Sequence, residues 1–370
     1  MSMRRVAACA LLILSTASSL LADVSILERR ATRRILPGKD KPKHHHSQQK
    51  NIGDITLIDA GGLNYFLNTD ITTVTESSAS AAMQDASYTA AVNATTSAGG
   101  VVAMTLTDAF DGYNGLCVSL NGTLALCDAN NPSFTVYNQT GAAPTAECNG
   151  RQYVFPSQAI GGLSVSRKVF VPSNDQFARW LNIFTNTTGA PITFSMVTSN
   201  NLGSDSDTRI VSSSNGNATA ELTDTWISTF QQYGNSTCPS QPANGSCDPR
   251  LGHVLQGAGA PVPLAAINFA DGDDNPWWGY SITLAPGART IIMNFVTGQP
   301  SKAAANAKAA ELAGLSPNSL QCLSTAERTE IANFQAQQVD VITVPTLSEL
   351  GLAILALAST FAGILMLRRP

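Results

Sequence analysis

The chain has 370 residues, a mean hydropathy of +0.03 and only 13% charged residues, so it is long and apolar enough to bury a large core. Its formal charge of −4 hides an asymmetry. Residues 23–50 carry eight Lys/Arg against three acids, net +5, whereas residues 51–367 carry ten against 23, net −13. An acidic body of that size argues against nucleic acid as a partner, because phosphate binding needs a positive footprint.

At the front, Arg4 and Arg5 precede the apolar run Val6 to Leu14, which is too short to span a bilayer, and small residues follow. This is the order of a secretory signal peptide, expected over residues 1–22, with cleavage after Ala22 or, alternatively, after Ser19. Export machinery and a signal peptidase are then implied partners. Residues 23–50 hold Arg29-Arg30, Arg33-Arg34 and four lysines with little apolar periodicity, and are expected as a basic, disordered linker. His44, His45 and His46 lie within it and lack the fixed geometry that a metal site requires.

Removing Cys9 with the signal leaves six cysteines: Cys117, Cys127, Cys148, Cys238, Cys247 and Cys322. An even count in an exported chain favours disulfides. Cys117 and Cys127 flank Asn121-Gly122, a hairpin-turn dipeptide between two apolar runs, and are expected to pair. Cys238 and Cys247 close a Pro- and Gly-containing loop, and Cys148 with Cys322 follows by elimination.

Residues 51–300 read as strands: Ser, Thr, Asn and Gly are abundant and turn dipeptides recur. The clearest stretch is expected as a meander. Leu163 to Val171 alternates, Pro172 to Asp175 turns, Phe177 to Thr185 forms the next strand, and Pro191 to Ser199 continues after a second turn. In Arg179 to Phe184 apolar residues fall on both faces, as in a strand covered on both sides. Further strands are expected at Trp226 to Phe230, Leu264 to Phe269, Tyr280 to Leu284 and Thr290 to Val296. Two helices close this body over residues 301–340. Ser301 opens Lys302 to Leu312, ended by Gly314, and the capping box Ser324 to Glu327 opens a helix over Arg328 to Gln338. The fold class is mainly β: a large antiparallel β-sandwich with two C-terminal helices, followed by a single transmembrane helix.

Motifs for catalysis are sparse. No G-x-S-x-G, H-E-x-x-H or C-x-x-C occurs, and the body's one histidine, His253, has no motif around it. Asp271, Asp273 and Asp274 offer hard oxygen ligands of the kind Ca²⁺ takes, without the spacing of an EF-hand; the shorter Asp205-Ser206-Asp207 is similar. No other cofactor is implied. Trp278 and Tyr280 share one face of a strand, where exposed rings would stack on a sugar of a surface glycan and buried rings would fill a core.

The C-terminus is the most specific segment. Val344-Pro345-Thr346-Leu347-Ser348-Glu349-Leu350-Gly351 leads into an uncharged run ending at Leu367, followed by Arg368 and Arg369. Leu350 to Leu367 as a helix reaches about 27 Å, close to a bilayer's hydrocarbon thickness, and the two arginines act as a membrane stop on the cytoplasmic side. The tail, residues 344–370, resembles the IPTL-CTERM sorting domain of Gram-negative bacteria, whose consensus reads I-P-T-L-x-x-W-G before the span. Pro345, Thr346, Leu347 and Gly351 match; Val344 stands for the isoleucine and Leu350 for the tryptophan. The resemblance implies recognition by an exosortase-type membrane protease, contact with membrane lipid before processing, and later display at the cell surface or outer envelope.

A second resemblance concerns the body. Val169-Phe170-Val171-Pro172, Phe177 to Leu181 and Asn200 to Asp205 are together similar to a β-sandwich segment of large bacterial surface proteins, distantly like the supersandwich of galactose-mutarotase-type folds. It implies a fold and no catalytic residue. The expectation is an exported, C-terminally sorted or anchored surface protein, non-enzymatic, with a structural or binding role. The rival is a surface polysaccharide-active enzyme, a glycosidase or lyase, using paired carboxylates that meet only in space.

Overall fold

The computed structural model describes residues 55–69, 79–88, 92–95, 101–104, 109–127, 130–139, 143–203, 207–231 and 250–336, with 92–95 and 101–104 as backbone alone. The signal segment 1–22, the linker 23–50, Cys238, Cys247 and the tail 344–370 lie outside the described residues. Among the described residues no helix is long and apolar enough to cross a membrane.

Two eight-stranded antiparallel sheets face each other. The first runs β1 (Ile55–Ile58), β2 (Leu63–Leu67), β3 (Met83–Tyr88), β6 (Gly112–Ser119), β12 (Ile192–Asn201), β17 (Trp277–Leu284), β16 (Ala266–Asn268), with β7 (Thr135–Val136) added on β6. The second runs β13 (Thr208–Ser213), β14 (Trp226–Gln231), β15 (Arg250–Val254), β18 (Arg289–Gln299), β11 (Ala178–Asn186), β10 (Leu163–Phe170), β9 (Gln152–Ile160), β8 (Thr145–Glu147). A separate pair, β4 (Val92–Thr95) and β5 (Val101–Met104), joins neither.

The expected meander holds for one turn only. β10 and β11 pair in register, Val169 opposite Trp180, but β12 crosses to the first sheet and pairs with β6 and β17. Period-2 alternation fixes a strand's faces, and it carries no information on which neighbour the strand takes. The Asn121-Gly122 hairpin is also corrected. Asn121 Oδ1 accepts from Thr123 N, closing a side-chain turn, and the chain beyond is irregular; the strand residues beside Cys117 are Val136 and Val197. Cys117 and Cys127 nevertheless pair, at a Cα separation of 6.0 Å, and Cys148 pairs with Cys322 at 5.9 Å.

The second sheet is covered on both faces, as the run Arg179 to Phe184 requires. Trp180 and Phe184 pack between the sheets against Phe194, Met196 and Tyr280. Leu181 and Ile183, one residue out of phase, pack on the opposite face with Phe295, Leu312, Leu320 and Phe334. That outer layer begins with helix α1 (Lys302–Ala313), capped by Ser301, whose side chain accepts from Ala304 N at 3.2 Å. Ala305, Ala309 and Leu312 form its buried stripe. A Cβ on Gly252 of β15 would lie 2.9 Å from Ala309 Cβ and 3.0 Å from Ala305 O, so this strand needs glycine for the helix to come so close.

The second helix is shorter than expected. The capping box is present, with Glu327 N donating to Ser324 Oγ (3.2 Å) and Ser324 N to Glu327 Oε2 (2.8 Å). It opens α2 (Thr325–Glu330), which stops at Ile331 instead of running to Gln338. The reason is competition from β18. Beyond Val254 the partner strand β15 ends, and the chain from Ile331 onwards takes the freed edge: Ile331 bridges Ile291 in parallel, and Ala332 N donates to Ile291 O at 2.9 Å. A buried edge left unpaired costs more than a few helical residues gain.

Candidate functional site

The aromatic pair is placed inside the sandwich. Trp278 and Tyr280 do share a face, and it is the inner one: both are 0% exposed, and Tyr280 OH donates to Leu255 O. Neither ring can stack on a sugar, which corrects the stacking expectation for this strand. His253 lies in the same interior, held by Tyr113 OH on Nδ1 (2.6 Å) and Thr229 Oγ1 on Nε2 (2.9 Å). A neutral imidazole meets one with its N–H and the other with its lone pair. Burial pushes its pKa down to about 3, so it stays uncharged at neutral pH. Fully buried, it is a core polar residue.

The acidic loop is turned towards its own neighbours. Asp271 Oδ1 accepts from Ile210 N at 2.8 Å, tying the loop to β13. Asp273 Oδ1 accepts from Asn275 N (2.9 Å) and its Oδ2 from Asn268 Nδ2 (3.2 Å), while Asp274 Oδ1 accepts from Asn275 Nδ2 (2.5 Å). Among the described residues no group of three or more His, Cys, Asp or Glu is placed to hold a metal.

Carboxylates do meet in space, but lysines stand between them. Lys168 Nζ bridges Glu147 and Glu327, at 2.9 Å from each. Lys308 Nζ bridges Asp175 (2.5 Å) and Glu311 (2.8 Å). Burial pushes Glu147, Glu327 and Asp175 up, but hydrogen bonds from the lysines and from Gln152, Ser324 N and Gln176 N outweigh it and leave all three below the usual carboxylate range. A glycosidase acid needs the opposite displacement. Of these, Lys168–Glu327 ties the outer helical layer to the second sheet and Lys308–Asp175 ties it to the β10–β11 turn. Asp59 is held high, pushed up to about 6 by burial against hydrogen bonds from Leu63 N, Gly61 N and Tyr65 OH. It closes the β1–β2 turn.

Two arginines that no motif marked are fully buried. Arg179, on the outer face, donates from Nη1 to Ser319 O (2.6 Å) and Gln321 O (2.8 Å) and from Nη2 to Gln152 Oε1 (2.9 Å), while its guanidinium lies 4.6 Å over the Phe170 ring. It clamps the segment between α1 and α2. Arg167, on the inner face, donates from Nε to Asn182 Oδ1 (2.8 Å) and from Nη2 to Asn114 O (2.8 Å) and Oδ1. Burial lowers both guanidinium pKa values to about 9, which leaves both charged at neutral pH. The signal for Arg167 is in the sequence: Leu163, Val165 and Val169 face inward, so parity sends Arg167 inward with them.

No protein-family model matches the chain, and no curated protein matches it. Solved structures show weak likeness. A polysaccharide lyase aligns with a TM-score of 0.37 at 10% identity over 68% of this chain and 34% of that one, so this chain spans about a third of its length. A galactose mutarotase-like protein from Lactobacillus casei aligns with a TM-score of 0.33 at 9% identity, over 67% of this chain and 99% of that one. A galactose mutarotase related enzyme from Lactobacillus acidophilus gives 0.30 at 8%, over 66% and 97%.

Proposed function

We propose that this is an exported β-sandwich protein, sorted or anchored through its C-terminus, with a structural or binding role at a bacterial surface. The observation that carries the reading is how the end of the body is fastened. Cys322 is paired with Cys148, and the chain beyond it completes the edge of β18 before the tail begins. Load applied through a C-terminal attachment meets a covalent bond and a sheet, not a loose loop. Two cysteine pairs at disulfide distance also suit a compartment that keeps them oxidised. The tail at Val344 to Gly351 and the signal-like N-terminus supply the route, with a signal peptidase and an exosortase-type protease as the processing partners.

The rival, an enzyme using paired carboxylates, would have gained from exposed Trp278 and Tyr280 beside them, and both rings are buried. A deletion of residues 344–370 tests the proposal. Full-length protein should be shaved by protease added to intact cells, and the deleted form should be oxidised, folded and soluble outside the cytoplasm. Recovery of both forms in the cytoplasm with reduced cysteines would overturn it.

A further inference from the structure

We propose that Arg167, Asn114 and Asn182 line an interior site that takes one small monovalent anion, of halide size, between the two sheets. The first ground is charge. Arg167 is 0% exposed, and every oxygen that accepts a hydrogen bond from its guanidinium is a neutral amide or carbonyl. Lys168, Arg289 and Lys308 each meet a carboxylate, whereas Arg167 meets none among the described residues. A buried cation is commonly paired, because carboxamide oxygens offset only part of the hydration it gives up.

The second ground is the hydrogen-bond inventory. Arg167 Nη1, Asn114 Nδ2 and Asn182 Nδ2 are buried and have no acceptor in the protein. Each asparagine holds the guanidinium through its Oδ1, so each Nδ2 sits one amide width away from it. The neighbourhood therefore has a surplus of N–H donors on top of a positive charge. A water would accept from at most two of them and would need acceptors for its own hydrogens. An anion accepts from all and cancels the charge as well.

Backbone geometry fixes the cradle. Asn114 has φ 61° at the shift in the β6–β12 register between Ser199 and Asn201, and it shares the inward parity of Leu116 and Val118; its backbone is fixed by Asn200 Oδ1, which accepts from Asn114 N at 2.8 Å. Val165 and Val169 beside Arg167, and Trp180 and Phe184 beside Asn182, are all fully buried. Only a small, singly charged ion suits such an enclosure, and it enters as the sandwich closes.

The test uses the full chain in detergent, with its disulfides intact. It is unfolded in urea, refolded in sodium bromide or in sodium gluconate at equal ionic strength, desalted, and assayed for bromide by X-ray fluorescence. About one bromide retained per chain is expected, with a higher thermal midpoint in bromide than in gluconate, since a ligand bound only by the folded state stabilises it. Arg167→Met should retain none and show the same midpoint in both salts. Absence of retained bromide in the wild type, with equal midpoints, would mean interior water only and overturns the site. Equal retention by Arg167→Met would mean an adventitious surface ion and overturns it too. Should Arg167→Met fail to fold, the wild-type count decides alone.

Discussion

Asn333 replaces a missing strand for Met293. Its Nδ2 donates to Met293 O at 2.7 Å and to Leu255 O at 2.8 Å, and its Oδ1 accepts from Met293 N at 2.8 Å. A single side chain thus pairs both backbone groups of a β18 residue that β15 does not reach. Asn333→Ala leaves buried N–H and C=O groups unpaired and should cost about 2–4 kcal/mol, read from urea denaturation. A loss under about 0.5 kcal/mol, the low end for a single hydrogen bond, would show that this edge is satisfied otherwise.

The two described cysteine pairs should differ in worth. On the chain-entropy account, Cys148–Cys322, with a sequence separation of 174, contributes about 5 kcal/mol, and Cys117–Cys127, with a separation of 10, about 3 kcal/mol. Unfolding of Cys322→Ser and Cys127→Ser should rank in that order. Thiol labelling of denatured, unreduced protein should give almost no signal; labelling of two or more of the six mature cysteines would refute the framework.

Stability against pH should be shaped by two opposed buried groups. Asp59, raised to about 6 in the folded state, binds more protons folded than unfolded from about pH 4 to 6, so its contribution falls as pH rises through that window. His253, lowered to about 3, binds fewer protons folded than unfolded below its usual 6.5, so its contribution grows as pH rises from about 3 to 6.5. The two nearly cancel in the wild type. Asp59→Asn should expose a stability that climbs from pH 4 to 6.5, and His253→Gln one that declines from pH 4 to 6. Each change should amount to roughly 2–4 kcal/mol, because a tenfold difference in proton affinity between folded and unfolded states is worth about 1.4 kcal/mol. Parallel curves for both variants would contradict the assignment.

Trp278 acts as core. Trp278→Ala should lower stability by about 3–5 kcal/mol, as truncation of a fully buried ring does. Unchanged stability together with a lost glycan interaction would restore the exposed-ring reading.

Much of the sandwich was legible because alternation and two-faced apolar runs mark strands locally: β10, β11 and β18 lie where the pattern put them. What failed was non-local. Nothing between Thr185 and Ile192 says that the next strand changes sheets, and nothing in Ser324 to Glu330 says that β18 has a vacant edge to be filled by Ile331. Trp278 and Tyr280 at spacing two announce a shared face without saying which side holds the core. The inward arginine was the readable clue left unused. Its parity among Leu163, Val165 and Val169 needed no structure, only the question of what a cation does there.

The central claim is C-terminal sorting, and the tail motif tests it most directly. On the sorting reading, a proline at 345 would keep the segment before the span out of its helix and leave an extended stretch for a protease to read. Changing Pro345→Ala together with Thr346→Ala leaves Leu350 to Leu367, Arg368 and Arg369 intact, so membrane insertion should proceed as before. Fractionation followed by blotting should then find uncleaved, full-length protein accumulating in the inner membrane while surface display drops. Processing and display equal to the wild type would contradict sorting and leave the tail an ordinary membrane span.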